Sequence, residues 1–149
     1  MDSNLKREII LDNYQDPMNR GLIEDGSYIK VNTNSESCID NLDFMFKLED
    51  NKIVDIKFDG EACAISTSAT SIMIRTLIGK SLDEAINILD NYRKMINEEE
   101  YDENLLGELM VYDDICKQPN RKGCALIPVR AVDKALEVFG YGKEWFIFR

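Results

Sequence analysis

The feature that most limits how this chain can fold is a run of alternating character between residues 42 and 58. Leu42, Phe44, Phe46 and Leu48 fall on one face and Asp43, Met45, Lys47 and Glu49 on the other, the period-two signature of a half-buried strand. Glu49-Asp50-Asn51-Lys52 then makes a polar turn, and Ile53, Val54, Ile56 and Phe58 resume the extended pattern. Residues 43–49 and 52–58 are therefore expected to pair as a hairpin. Tyr28, Ile29 and Val31 supply an earlier extended stretch, so the expected sheet has three antiparallel strands.

Helical spacing surrounds that sheet. Residues 4–14 place Leu5 and Ile9, then Ile10 and Tyr14, four apart, and Asp16-Pro17 disfavours continuation. A turn over Asn19-Arg20-Gly21 follows. After Phe58 the chain reads Asp-Gly-Glu-Ala-Cys63, a turn that opens a helix crowded with small residues, Ala64, Ser66, Thr67, Ser68, Ala69, Thr70 and Ser71. Small side chains let its first turns approach the sheet, and Gly79 is a natural stop. Ser81-Leu-Asp-Glu84 has the form of a capping box, followed by a stripe of Ala85, Ile86, Ile88, Leu89, Tyr92, Met95 and Ile96.

The acidic residues 97–104 read as a solvated connection. Leu105, Leu106, Leu109, Met110 and Ile115 suggest a short helix closed by Gln118-Pro119-Asn120. Cys124 is expected to open the last helix, with Pro128 in its first turns and Gly140 at its end. The aromatic tail, Tyr141, Trp145, Phe146 and Phe148, is expected to pack over the core. The expected fold is α+β, a three-stranded antiparallel sheet with helices packed on one face, in a single domain over residues 1–149.

Charge narrows the function. The chain carries 28 acidic and 18 basic residues, a net charge of −10, which opposes binding to nucleic acid or to an anionic membrane surface. No apolar run is long enough to span a bilayer, and residues 1–15 are too charged for a signal peptide, so a cytoplasmic protein is expected. In that reducing setting the four cysteines read as buried residues, metal ligands or reactive thiols rather than disulfides. There is no histidine, so metal binding or catalysis must use Cys, Asp, Glu, Lys or Tyr.

Three cysteines stand at expected element boundaries. Cys38 lies in the polar loop between the first two strands, Cys63 at a strand-to-helix turn, and Cys124 at a loop-to-helix turn. A thiol at a helix start feels the partial positive charge of the unpaired N–H groups, which favours the thiolate that binds metal and attacks sulfur. Asp40, two residues after Cys38, shares its side of an extended loop. Three sulfurs and one oxygen suit tetrahedral zinc or an iron-binding surface. The spacing contains no Cys-x-x-Cys pair, and three buried packing cysteines fit it equally well. Cys116 reads as a packing residue of its helix rather than a second acceptor thiol.

Ordered blocks around these cysteines resemble the IscU/NifU N-terminal family of iron–sulfur cluster assembly proteins. Asn34-Ser-Glu-Ser-Cys-Ile-Asp40 resembles the family's Cys-Gly-Asp loop, the stretch from Phe58 to Ser66 its Gly-x-x-Cys block, and Arg121-Lys-Gly-Cys-Ala-Leu126 its third block. Asp16-Pro-Met-Asn-Arg-Gly21 resembles its Asn-Pro-x-Asn-x-Gly turn. The long segment at about residues 96–109, and Gly123 where the IscU branch carries histidine, resemble the SufU branch.

The resemblance implies a SufE/NifU-like fold and zinc bound by Cys38, Asp40, Cys63 and Cys124. It implies sulfur accepted from a SufS-like cysteine desulfurase, with Cys38 as acceptor and Arg121 as an auxiliary cation, and delivery to iron–sulfur scaffold or recipient proteins. The activity implied is a zinc-dependent sulfurtransferase; the alternative is a scaffold that assembles and transfers an iron–sulfur cluster. Ile39 and Ala62 stand where the family has glycine, which implies stiffer loops.

Overall fold

The structure is a computed structural model that describes residues 1–34 and 41–140. Its elements run α1 (Ser3–Gln15), β1 (Ile29–Asn32), β2 (Asn41–Glu49), β3 (Lys52–Glu61), α2 (Ala64–Leu77) and α3 (Leu82–Ile96). Three short 3-10 helices follow (Glu103–Leu105, Gly107–Tyr112 and Ile115–Lys117), then α4 (Pro119–Ala125) and α5 (Ile127–Phe139).

The hairpin forms as its alternation dictates. The sheet is antiparallel in the order β1-β2-β3, with Val31 opposite Phe44 and Phe44 opposite Phe58. Asp50 and Asn51 both take positive φ, the backbone that a two-residue hairpin turn needs and that Asn and Asp tolerate. A bulge next to Lys47 and Leu48 leaves Val54 as an extra, exposed residue, so Ile53 and Ile56 are both buried although they stand three apart. This accounts for the break in the period of two between Ile53 and Ile56. Met45 departs from the expected solvent face: it is buried, with Lys30 and Lys57 as its cross-strand neighbours. The alkyl stems of two lysines make such a position less polar than alternation alone implies.

The core lies between the sheet and the helices. Phe44, Phe46 and Phe58 pack together beneath Ile72, Met73 and Leu77 of α2 and Val132, Ala135 and Leu136 of α5. α1 lies along α2, where Asn13 accepts from Ser71 Oγ at 2.7 Å and from Arg75 Nε at 3.2 Å. The Asn19-Arg20-Gly21 turn is sewn to β3 by Gly21 N–H to the Phe58 carbonyl at 2.7 Å and by Asn19 Nδ2 to the Ile56 carbonyl at 2.9 Å. The expected capping box forms, with Glu84 N–H donating to Ser81 Oγ and Ser81 N–H to Glu84 Oε1, both at 3.1 Å.

Two expectations are corrected. The short helix around Leu105 to Ile115 is a succession of 3-10 turns. Leu106, Leu109, Tyr112 and Ile115 are buried at a spacing of three, which matches three residues per turn, and Gly107 takes φ +50°, outside α geometry. Cys124 does not open the last helix; it lies in the last turn of α4, and α5 starts anew at Ile127. Pro128 has no N–H for the Cys124 carbonyl, so a continuous helix would lack that bond. The expectations for Cys38, Asp40 and the aromatic tail lie outside the described residues.

Candidate functional site

β3 carries the chain to Glu61, and Cys63 caps α2. Its backbone is extended (φ −68°, ψ 170°), and its Sγ accepts from the Ser66 N–H at 3.4 Å. This is N-capping with sulfur in the place usually taken by a hydroxyl or carboxylate oxygen. The expected position of Cys63 at the strand-to-helix junction is the observed one.

Ser66 joins this turn to the Cys124 turn. Its hydroxyl accepts from the Cys63 thiol at 3.4 Å and donates to the Cys124 carbonyl at 3.2 Å. Pro128 has no N–H to offer that carbonyl from one turn further on, and Ser66 supplies a donor from the neighbouring helix. Cys63 and Cys124 are both half-buried. Tyr92 Oη donates to the next carbonyl, Ala125, at 2.8 Å, so the α4–α5 junction is held by side chains of α2 and α3.

Further polar residues of α2 support the site from within. Ser68 Oγ and the Tyr112 hydroxyl lie 2.5 Å apart, tying α2 to the 3-10 segment. Burial pushes the Tyr112 phenol up, the Ser68 hydrogen bond opposes this, and the nearby Cys63 adds to the rise. Lys6 of α1 pairs with Asp113 at 2.6 Å and Asp114 at 3.1 Å, fastening the other side of that segment.

Arg121 is exposed on α4, one turn before Cys124. Cys116 is half-buried, with its thiol directed to the Asp113 carbonyl at 3.5 Å. The structure thus brings together the Cys63 and Cys124 turns, with Arg121 on the second, while Cys38 and Asp40 lie outside the described residues. Ser66 was read in the sequence only as a small helix-opening residue. Its signal was the pairing of a hydroxyl three residues after an N-terminal cysteine with a proline four residues after the other cysteine.

Among the described residues no group of three or more Cys, Asp or Glu stands close enough to hold a metal ion. The donor chemistry present nevertheless fits zinc, because two sulfurs come from adjacent turns and one of them takes a hydrogen bond from the Ser66 backbone N–H, as metal-bound thiolates do from their surroundings. Among the described residues no helix is long and apolar enough to cross a membrane.

A three-stranded antiparallel sheet backed by helices, with cysteine-bearing turns joined at one end, defines a class of small thiol-bearing α+β domain. Residues 5–125 match the NifU-like N terminal domain, and the chain belongs to that family. It is similar to the zinc-dependent sulfurtransferase SufU of Bacillus subtilis, 32% identical over 133 residues covering 89% of each chain. It is also similar to the iron-sulfur cluster assembly scaffold protein IscU of Thermotoga maritima, 31% identical over 130 residues, covering 87% of this chain and 91% of the other. The crystal structure of FiSufU from Fervidobacterium islandicum AW-1 superposes with a TM-score of 0.80 at 36% identity, covering 87% of this chain and 94% of that one. A NifU-like N-terminal structure from Brucella abortus, at 21% identity and a TM-score of 0.75 over 91% of this chain and 96% of that one, shares the fold.

Proposed function

We propose that the chain serves iron–sulfur cluster assembly by accepting sulfur from a SufS-like cysteine desulfurase, at a zinc site formed by Cys38, Asp40, Cys63 and Cys124. The observation that carries this is the Ser66 hydroxyl between the Cys63 thiol and the Cys124 carbonyl, which holds two proposed ligand turns together. Zinc held there would keep its thiols in the thiolate form at neutral pH.

The transfer balances as thiol–disulfide exchange. The Cys38 thiolate attacks the outer sulfur of the desulfurase persulfide; a new sulfur–sulfur bond forms on Cys38, the old one breaks, and the donor cysteine leaves as thiolate. Cys63 and Cys124 stay in place, held by Ser66 and the α4–α5 junction. Arg121 offers a surface cation beside the incoming anion. Cys38 is assigned this role because its loop is the most polar of the three. Thiol chemistry of this kind belongs in a reducing cytoplasm, and the sulfur passes on to scaffold or recipient proteins.

The similarity to the Thermotoga maritima scaffold supports a second reading, assembly and hand-on of a cluster at the same residues. The absence of histidine from the chain favours sulfur transfer. Metal analysis and absorbance of protein purified without oxygen separate the two. Zinc without visible colour supports transfer; iron with acid-labile sulfide and a brown chromophore overturns it in favour of the scaffold.

A further inference from the structure

α4 carries Cys124 on a short and intrinsically weak element. It has seven residues, Pro119–Ala125, and one of them is Gly123, a poor helix former. Helices of this length are not stable by themselves in water. Among the described residues Ala125 is its one buried member, and the side chain of its N-cap, Gln118, makes no capping bond. Burial and side-chain bonding both concentrate at its C-terminal end.

Two buried hydroxyls meet it there. Ser66 of α2 donates to the Cys124 carbonyl at 3.2 Å, and Tyr92 of α3 donates to the Ala125 carbonyl at 2.8 Å. Tyr92 is fully buried. Phenylalanine would fill the same space, and a phenol buried without a partner is costly, so the bond to α4 is what a tyrosine adds at this position. The ring is aimed by an edge-on contact with Tyr112, the centroids 6.4 Å apart and the planes at 84°. Burial, followed by the neighbouring Tyr112, pushes the Tyr92 phenol well above its ordinary value, which keeps it a donor throughout the neutral range.

A short helix anchored at one end opens locally more readily than the core around it. We propose that Tyr92 is a positioning residue for Cys124: its hydroxyl latches α4 to α3 and sets how often the Cys124 turn opens. A closed α4 keeps Cys124 joined to the Cys63 turn through Ser66. An open α4 releases Cys124 while Cys63 stays at the N-cap of α2. That Cys124 is a metal ligand rests on the proposed function; the latch does not.

The test compares Tyr92→Phe and Gly123→Ala with the wild type in the full-length chain, freed of metal by a chelator. Hydrogen exchange over residues 119–126, taken relative to that of α2, reads the opening of α4, and the iodoacetamide rate at Cys124 relative to Cys63 reads its effect on the thiol. Loss of the Tyr92 bond should raise the exchange ratio about 5- to 30-fold, the population change that one buried hydrogen bond implies, and the labelling ratio should rise with it. Gly123→Ala should act in the opposite sense. A Cβ at Gly123 meets nothing within 4 Å, and alanine favours the helix, so the exchange ratio should fall about two- to fivefold. A purely structural role for Tyr92 would lower the melting temperature and leave both ratios at their wild-type values, which overturns the proposal.

The wild-type chain decides the matter if Tyr92→Phe does not fold. Followed by NMR, the Tyr92 hydroxyl proton should show the same opening equilibrium as the Leu126 amide, which bonds to the Lys122 carbonyl of α4 at 3.1 Å. An opening shared instead with the amides of α3 overturns the proposal. A Tyr92-dependent exchange ratio in a chain that binds no zinc would leave the latch standing and remove the ligand role of Cys124.

Discussion

The Ser66 hydroxyl lies 3.2 Å from the carbonyl oxygen of Cys124, a bond between two helices at a carbonyl whose donor one helical turn on would be the N–H that Pro128 lacks. Ser66 is fully buried, so the bond from its hydroxyl to the Cys124 carbonyl does not compete with water. Ser66→Ala should lower stability by about 1–2 kcal/mol, the cost of leaving buried groups unpaired. It should also weaken zinc binding, because the Cys124 turn loses its tie to α2. Denaturant unfolding and chelator competition read the two effects separately.

Pro128→Ala tests the same bond from the other side. The restored N–H can join the Cys124 carbonyl and run α4 into α5, in competition with Ser66. Weaker zinc binding is expected with little change in melting temperature, measured by chelator competition and circular dichroism. An unchanged affinity would show that the break between the two helices does not position Cys124.

Gly60 stands where β3 approaches the start of β2. Its φ is +128°, and a Cβ there would lie 2.3 Å from the Asn41 carbonyl oxygen, a backbone atom that cannot yield cheaply. Gly60→Ala should cost at least ~1–3 kcal/mol, from strained backbone alone. Because Asn41 directly follows Asp40 and Gly60 precedes Cys63, the variant should lose zinc affinity as well as thermal stability.

The sheet has a titration signature in alkali. Tyr28 donates to Asp55 Oδ2 at 2.5 Å, and this hydrogen bond, followed by desolvation, pushes the phenol up to about 12. A phenol raised in the folded state contributes stability that is complete below the unfolded value of 10.0 and is lost as pH rises through about 12. Over that interval wild-type stability should fall more steeply than that of Tyr28→Phe. Urea unfolding of both proteins across the interval checks it.

In acid the sign reverses. Hydrogen bonding by Lys6, then by Lys117, holds Asp114 below its ordinary value of 3.8. Its contribution is present above that value and is lost as pH falls through the lower folded-state value. Asp114→Asn should therefore show a shallower loss of stability in acid than the wild type. Since Asp114 is largely exposed, salt should narrow the difference.

Much of the architecture could be read from residues whose effect is local. The alternation from Leu42 to Phe58, the Asp50-Asn51 turn and the Ser81 capping box each fix their own element, and all three form as expected. The 3-10 segment was misread as a helix because Leu105 and Met110 blur the buried spacing of three set by Leu106, Leu109, Tyr112 and Ile115. The division of the last helix was missed because Pro128 is compatible with a helix that begins at Cys124 as well as with one that begins at Ile127. Within the site, Cys63 was legible from its own turn. The Ser66 link was not, because it joins residues far apart in sequence and depends on how α2 meets α4.

The central claim is tested most directly by intact-mass analysis of the zinc-loaded chain after incubation with a SufS-like desulfurase and cysteine, comparing wild type with Cys38→Ala. The account predicts a persulfide adduct on the wild-type chain that maps to Cys38, and its loss in the variant. An undiminished adduct in Cys38→Ala, or none on the wild type, would contradict it.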